Sequence, residues 1–104
     1  MNINPFDILK NAKQFQEQMG FFQEKLGNIT AIGSSGGGMV EIEINGRMEV
    51  LKVRISPEVM EEGDREMLQD LIIAAFNNAM EKIREVLNRE MGALAGMGIP
   101  GFTQ

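Results

Sequence analysis

The most constraining feature of this sequence is a strict heptad spacing of apolar residues near its N-terminus. Successive apolar positions are separated alternately by four and by three residues; they are Ile8, Ala12, Phe15, Met19, Phe22, Leu26 and Ile29. This spacing puts all seven on one narrow stripe of an α-helix, which we call the apolar seam. A heptad stripe is typical of a helix that packs lengthwise against another helix. We interpret the apolar seam as core or as a dimer interface.

Local signals mark both ends of this first helix. Asn4 is the predicted N-cap, Pro5 fits the first helical position, and Asp7 falls where the helix dipole favours an anion. Gly27 followed by Asn28 suits the C-terminal end. Gly20 lies inside the helix and costs about 1 kcal/mol relative to alanine. It either permits the close approach of a neighbour or simply weakens the helix.

The middle of the chain has the pattern of a β-sheet. Residues 30–32 form a short candidate strand, and the Gly- and Ser-rich residues 33–38 are predicted to be a flexible connection. Val40, Ile42 and Ile44 then alternate with polar residues, which predicts a half-buried strand. The following Asn-Gly pair is a strong signal for a β-hairpin.

The phase of the return strand is ambiguous in the sequence. An even-length turn would place Leu51, Val53 and Ile55 on the face of the first hairpin strand and would turn Met48 and Val50 to the other face. Either a β-bulge re-phases the strand, or the second face of the sheet is also partly covered.

A second helix is predicted from about Asp64, a plausible N-cap, to about Met91, after a short turn of helix at 58–62. Its segment 71–76 is apolar all round, whereas a helix on the outside of a monomer needs a polar stripe. We therefore expect burial on two sides, by the sheet and by a second copy of the chain. The prediction is a single domain over residues 1–91 and a flexible Gly- and Met-containing tail over residues 92–104.

The net charge of −5 is confined to one segment. Residues 58–70 carry six acids and one base, a local sum of −5, and the remaining residues are balanced. Nucleic-acid-binding proteins are usually basic, so the bulk charge argues mildly against such a function. Confinement of the acids to one segment weakens that objection.

Residue types that usually carry catalysis are missing. The chain has no histidine and no cysteine, which removes the commonest general base and the thiol nucleophile. The Ser34–Gly38 run lacks the Lys-Ser/Thr ending of a phosphate loop, the acidic segment matches no calcium loop, and Glu41 and Glu43 have the alternation of outward strand residues. We predict no catalytic site, metal, cofactor or small-molecule substrate.

Nothing in the sequence points to a membrane. No apolar run approaches the roughly 20 residues of a membrane-spanning helix. The N-terminus has no basic start followed by an apolar stretch, so it does not resemble a secretory signal. We expect a cytoplasmic protein.

Several segments together resemble a known family, in the same order along the chain. They are the Gln- and Lys-containing residues Leu9–Glu17, the glycines and strand start Gly36–Val40, the hairpin Asn45-Gly46, the segment Val53–Pro57, the block Leu68–Ala79, and the tail Gly-Met-Gly-Ile-Pro-Gly-Phe. The chain is similar in these segments to the YbaB/EbfC nucleoid-associated proteins, and the resemblance covers nearly its whole length.

The resemblance implies an α+β subunit with the order α-β-β-β-α, a three-stranded antiparallel sheet and two long helices. It also implies a homodimer whose long helices project as a pair of arms. The family's proteins are small and bacterial, bind double-stranded DNA, coat the nucleoid and influence gene expression. The resemblance therefore implies a cytoplasmic protein at the nucleoid.

Contacts to DNA would be made mainly with phosphates, by basic residues on the helices. The candidate DNA-binding residues are Lys10, Lys13, Lys25, Lys82, Arg84 and Arg89. The candidate dimer-interface residues are Phe15, Met19, Phe22, Ile73 and Phe76. The alternative is a protein–protein interaction module whose apolar helix faces receive a helix of another protein, without direct DNA binding.

Overall fold

The computed structural model describes residues 4–96, and it has the predicted α+β architecture with the order α-β-β-β-α. The elements are α1 (Pro5–Asn28), β1 (Thr30–Ser35), a 3₁₀ turn (Gly36–Gly38), β2 (Val40–Asn45), β3 (Val50–Ile55), the short α2 (Pro57–Glu62) and α3 (Arg65–Gly96). Helix α3 continues five residues beyond its predicted end at Met91. The predicted flexible tail lies outside the described residues from position 97 onward.

Side-chain caps fix the start of each helix. The Asn4 side chain accepts a hydrogen bond from the backbone N–H of Phe6 at 3.0 Å, and Asp64 accepts one from Met67 at 3.0 Å. Ser56 caps α2 in the same way. Because these bonds satisfy N–H groups that have no partner inside the helix, the predicted starts of α1 and α3 are confirmed.

The core lies between α3 and two strands of an antiparallel sheet in the order β1-β2-β3. Helix α3 crosses β1 and β2. The buried core side chains come from β2 and α3; they are Val40, Ile42, Ile44, Ala75, Ala79 and Ile83, each no more than 2% exposed.

Gly33 allows this helix to come close to the sheet. A Cβ atom on Gly33 would lie 2.1 Å from the Ala79 backbone N and 2.3 Å from the Ala75 carbonyl oxygen. Two hydrogen bonds secure the same contact: Ser34 N donates to Asn78 Oδ1 at 3.0 Å, and Ser35 Oγ donates to the Leu71 carbonyl at 2.6 Å. The segment predicted as a flexible connection is therefore strand as far as Ser35.

The hairpin turn has an odd number of residues and not an even number. The backbone N–H of Asn45 donates to the Glu49 carbonyl at 3.1 Å, so the loop holds three residues, 46–48. Val50 consequently lies opposite Ile44, and its expected place on the other face is wrong. Leu51 is then the extra residue of a bulge, beyond which Val53 lies opposite Ile42. The bulge is thus the correct one of the two alternatives.

Strand β3 is left uncovered by α3. Val50, Leu51 and Val53 are 49%, 50% and 49% exposed, although Val50 and Val53 share the face of the buried β2 residues. An edge strand with an apolar face and no covering element is a site where a further polypeptide can pack.

Helix α1 projects from the body of the protein, by which we mean the sheet together with α2 and α3. None of its 24 residues is buried, and only the last part of the apolar seam, including Phe22 and Leu26, is half-buried beside Leu87 and Met91 of α3. The Cα radius of gyration is 20.2 Å, against about 13 Å for a compact domain of this length. None of the described helices is long and apolar enough to cross a membrane.

Replacement of Gly33 by alanine is expected to lower the free energy of unfolding by about 3 kcal/mol, because the new methyl group would collide with the backbone of α3. Gly20→Ala is the matched control, since a Cβ at Gly20 meets no atom within 4 Å and alanine favours the helix by about 1 kcal/mol. Chemical denaturation of the two variants measures the difference. Equal stability of Gly33→Ala and the parent would contradict the close packing.

Candidate nucleic-acid interface

Two of the predicted DNA-binding lysines lie on the projecting part of α1. Lys10 and Lys13 are three residues apart and therefore share one face of the helix, on the side away from the apolar seam. Both are exposed, and within the described part of the chain neither forms an ion pair. Their charges are available to a phosphate even when the apolar seam is covered.

Lys25 lies in a different environment, in the last turn of α1. Its Nζ lies 3.9 Å from Glu90 Oε2 of α3, and both side chains are about half exposed. An exposed pair of this kind contributes at most about 1 kcal/mol. Lys25 can exchange its partner for a phosphate, but its charge is already partly balanced.

The three bases of α3 divide between two flanks of the helix. Lys82 and Arg89 are seven residues, or two turns, apart and share a flank. The same flank carries Asn78, which bonds to β1. Arg84 lies on the other flank, on the side of Ile73. The fold therefore brings Lys82 and Arg89 together and separates Arg84 from them.

The excess of negative charge lies at the opposite end of the body from α1. Near its N-terminal end, α3 places Leu71 beside Gly36. Further along, it reaches the hairpin, where Leu87 lies beside Gly46. The acidic segment 58–70 forms α2 and the beginning of α3, and its six acids are all exposed. From Asp70 to Lys82 the helix rises about 18 Å. The acidic segment, which would repel a phosphate, therefore lies at a distance from the basic side chains of α3.

Arg47 is a basic residue that the sequence analysis did not select, and it lies near the C-terminal end of α1. It lies in the hairpin turn, its Nε is 3.1 Å from Glu49 Oε1, and its guanidinium occupies the space beside Gly27 of α1. The hydrogen bond from Asn45, assisted by the charge of Arg47, lowers the pKa of Glu49. The Asn-Gly signal located this turn, but its position against α1 depends on the tertiary fold.

The outer face of the sheet carries balanced charge. Glu41 pairs with Arg54, and Glu43 lies opposite Lys52 in the β2–β3 register. Cross-strand pairs of opposite charge stabilise an exposed sheet. With two acids and two bases, this face has no excess positive charge to attract phosphates.

The five predicted interface residues form two separate patches. Phe15, Met19 and Phe22 lie along the apolar seam of α1, where Phe15 is 63% and Met19 42% exposed. Ile73, 59% exposed, and the half-buried Phe76 lie on α3. The two patches do not meet within one chain. The patch formed by Ile73 and Phe76 lies on the flank of α3 that faces away from β1 and toward the uncovered strand β3.

Residues 1–98 match the model of the YbaB/EbfC DNA-binding family, which is nearly the whole chain. This protein belongs to the YbaB/EbfC family. The resemblance inferred from the separate segments is thereby confirmed.

Curated proteins named nucleoid-associated protein are similar to this YbaB/EbfC chain over most of its length. One from Pelotomaculum thermopropionicum is 41% identical over 103 residues and covers 98% of both chains. Another, from Syntrophobacter fumaroxidans, is 44% identical over 98 residues, which are 93% of this chain and 89% of the relative. A relative from Legionella pneumophila is 43% identical over 101 residues, 96% of this chain and 89% of its own length.

A solved structure has the same fold. The crystal structure of an uncharacterized protein from Helicobacter pylori aligns with a TM-score of 0.67 over 93% of this chain and 100% of its own. The sequence identity is 24%, so this likeness concerns the fold alone.

Removal of the paired bases of α3, in the double variant Lys82→Gln/Arg89→Gln, is expected to weaken DNA binding about tenfold at low salt. Each lost phosphate contact should also reduce the slope of log affinity against log salt by about 0.9. Fluorescence anisotropy with a labelled duplex at several salt concentrations measures both quantities. Lys52→Gln, on the outer sheet face, is the matched control; an equal loss in that variant would contradict the assignment to α3.

Proposed function

We propose that this protein is a nucleoid-associated protein that binds double-stranded DNA as a homodimer. Its basic helical residues contact phosphates, with little reading of the base sequence. The proposal also places it in the bacterial cytoplasm at the nucleoid, where it influences nucleoid organisation and gene expression. The observation that carries the proposal is membership of a DNA-binding family over residues 1–98.

The distribution of charge supports phosphate contacts despite the net charge of −5. Lys10 and Lys13 lie on a helix that projects into solvent, and Lys82 and Arg89 lie together on one flank of α3. The acidic segment is at the far end of the body. A protein of this shape can bring its bases to a duplex while the acids stay distant, and the attraction is strongest at low ionic strength.

A two-fold dimer is supported by the apolar surface that a single chain leaves open. The uncovered β3 side chains and Ile73 of α3 are each about half exposed, and the apolar seam continues along α1 without a partner in the described chain. A dimer also doubles every basic patch, which raises the number of phosphates contacted. We place Ile73 and Phe76 in the interface of the two bodies, and Phe15, Met19 and Phe22 in contacts made by the arms.

The apolar side chains of α1 also favour a second candidate function. Phe6, Leu9 and Phe21 are 81%, 66% and 73% exposed and lie off the apolar seam, so a partner seated on the seam does not cover them. An interaction module that receives a helix of another protein would use such a surface. This candidate requires no affinity for DNA, and it is tested by the same titration as the first.

A gel-shift titration at two salt concentrations tests DNA binding. We expect the parent protein to shift a duplex at low salt and to lose affinity steeply at moderate salt. The charge-reversed variant Lys10→Glu/Lys13→Glu should lose the shift, because repulsion replaces two phosphate contacts in each chain. Unchanged binding at the two salt concentrations would contradict the phosphate mechanism. No shift at low salt, with co-purification of a defined protein, would favour the interaction module.

Replacement of Ile73 by aspartate is expected to raise the dimer dissociation constant at least about tenfold, because it buries a charge in an apolar interface. The monomer should stay folded, since Ile73 is 59% exposed. Ala74→Asp is the matched control, because Ala74 is exposed and the helix turns it about 100° away. Sedimentation equilibrium measures the dimer. A monomeric parent at micromolar concentration, or an unaffected Ile73→Asp dimer, would refute this interface.

A further inference from the structure

The β2–β3 turn is hydrogen-bonded to the C-terminal end of α1. The backbone N–H of Gly46 donates to two carbonyl oxygens, that of Leu26 at 3.0 Å and that of Ile29 at 2.9 Å. The last carbonyls of a helix have no partner inside the helix. The Leu26 carbonyl also accepts the capping N–H of Ile29 at 3.2 Å, so the turn adds a second donor there and ties the end of α1 to the sheet. We call residues 26–29 and 45–49 the arm joint.

Asn45 gives the arm joint its shape. It is 2% exposed and is the one buried polar residue in the described range. Its Oδ1 accepts from the backbone N–H groups of Arg47 and Glu49, both at 3.0 Å, and its Nδ2 donates to Glu49 Oε1 at 2.8 Å. A buried amide that is hydrogen-bonded through both its oxygen and its nitrogen holds its neighbours in one arrangement, so the Gly46 N–H stays directed at α1.

The space around Gly46 is closed on one side by a backbone carbonyl and on the other by leucine side chains. A Cβ there would lie 2.7 Å from the Leu26 carbonyl oxygen and 3.2 Å from Leu87 Cδ2. At Gly27, on the other side of the arm joint, a Cβ would lie 2.5 Å from an Arg47 guanidinium nitrogen. The end of an arginine side chain can turn away, whereas the Leu26 carbonyl moves only with the helix itself. The two glycines thus differ in what an added methyl group displaces.

A small displacement at the arm joint is enlarged along the helix. The 24 residues of α1 span about 36 Å, and a tilt of about 5° moves the far end by about 3 Å. Outside the arm joint, the described structure places Phe22 and Lys25 of α1 beside α3. At Lys10 and Lys13, which lie nearer the arm joint, the same tilt gives a shift of about 2 Å, which is a large part of a hydrogen-bond length and is enough to move their charges off a phosphate.

We propose that the Asn45-Gly46 turn sets the angle at which α1 projects and so positions Lys10 and Lys13 for DNA. Gly46 is a positioning residue, because it acts through the orientation of α1 and does not itself contact the ligand. This inference rests on the proposed DNA-binding function. The orientation of the arm, however, is measured without DNA, so the two can be tested apart.

The experiment compares Gly46→Ala with Gly27→Ala in the full-length protein. Since the chain has no cysteine, the exposed residues Gln14 and Ala74 are replaced by cysteine to carry spin labels on the arm and on the body. Labelled chains are diluted with excess unlabelled chains so that only the distance within one chain is read. Circular dichroism checks that each variant is folded, and anisotropy with a duplex measures affinity at low salt.

We expect Gly46→Ala to change the distance by about 2 Å, the displacement of position 14 for a tilt of about 5°, and to weaken DNA binding about tenfold, and Gly27→Ala to leave both near the parent values. An unchanged distance in folded Gly46→Ala would overturn the inference. A changed distance with unchanged affinity would also overturn it, while leaving the proposed function intact. A parent protein that binds no DNA at low salt would refute the proposed function instead, and with it the role given to the arm.

Discussion

The rest of the structure depends on the contact between α3 and the sheet at Gly33. Because Gly33 has no side chain, the backbone of α3 comes within a few ångströms of β1 at Ala75 and Ala79, and the helix is held over β1 and β2. A single helix has the width to cover about two strands. Strand β3 is therefore left open, and within the described residues α1 lies against α3 only near its C-terminal end.

This arrangement explains why the apolar residues of such a small protein are so unevenly buried. The buried core is built from short strands and small helical side chains, while the phenylalanines of α1 remain largely exposed. Water-exposed apolar surface of this extent is unfavourable for an isolated chain and becomes favourable when a partner covers it. The apolar surface that a single chain leaves exposed is thus the surface through which the proposed DNA-binding protein would assemble, and it includes the projecting arms.

Much of the fold could be predicted because its signals are local. The cap at Asn4, the cap at Asp64 and the alternation of Val40, Ile42 and Ile44 are each contained within a few residues. The turn length could not be predicted, because Asn-Gly suits a two-residue loop, whereas the bonds between Asn45 and Glu49 select three residues. The candidate bases were chosen as exposed lysines and arginines, but only their positions in space distinguish Lys25, paired with Glu90, from Lys10 and Lys13, which form no ion pair within residues 4–96.

The sequence by itself determined the number and type of the elements, the acidic segment, and the need of the apolar seam for a partner, because these follow from the periodicity and placement of residues along the chain. The tertiary structure decided which strand stays uncovered, which flank of α3 carries Lys82 and Arg89, and how the hairpin holds the end of α1. Those features depend on contacts between residues far apart in sequence, such as Gly33 with Ala79 and Gly46 with Leu26. No local pattern encodes the distance between such residues, because it is set by how whole elements pack.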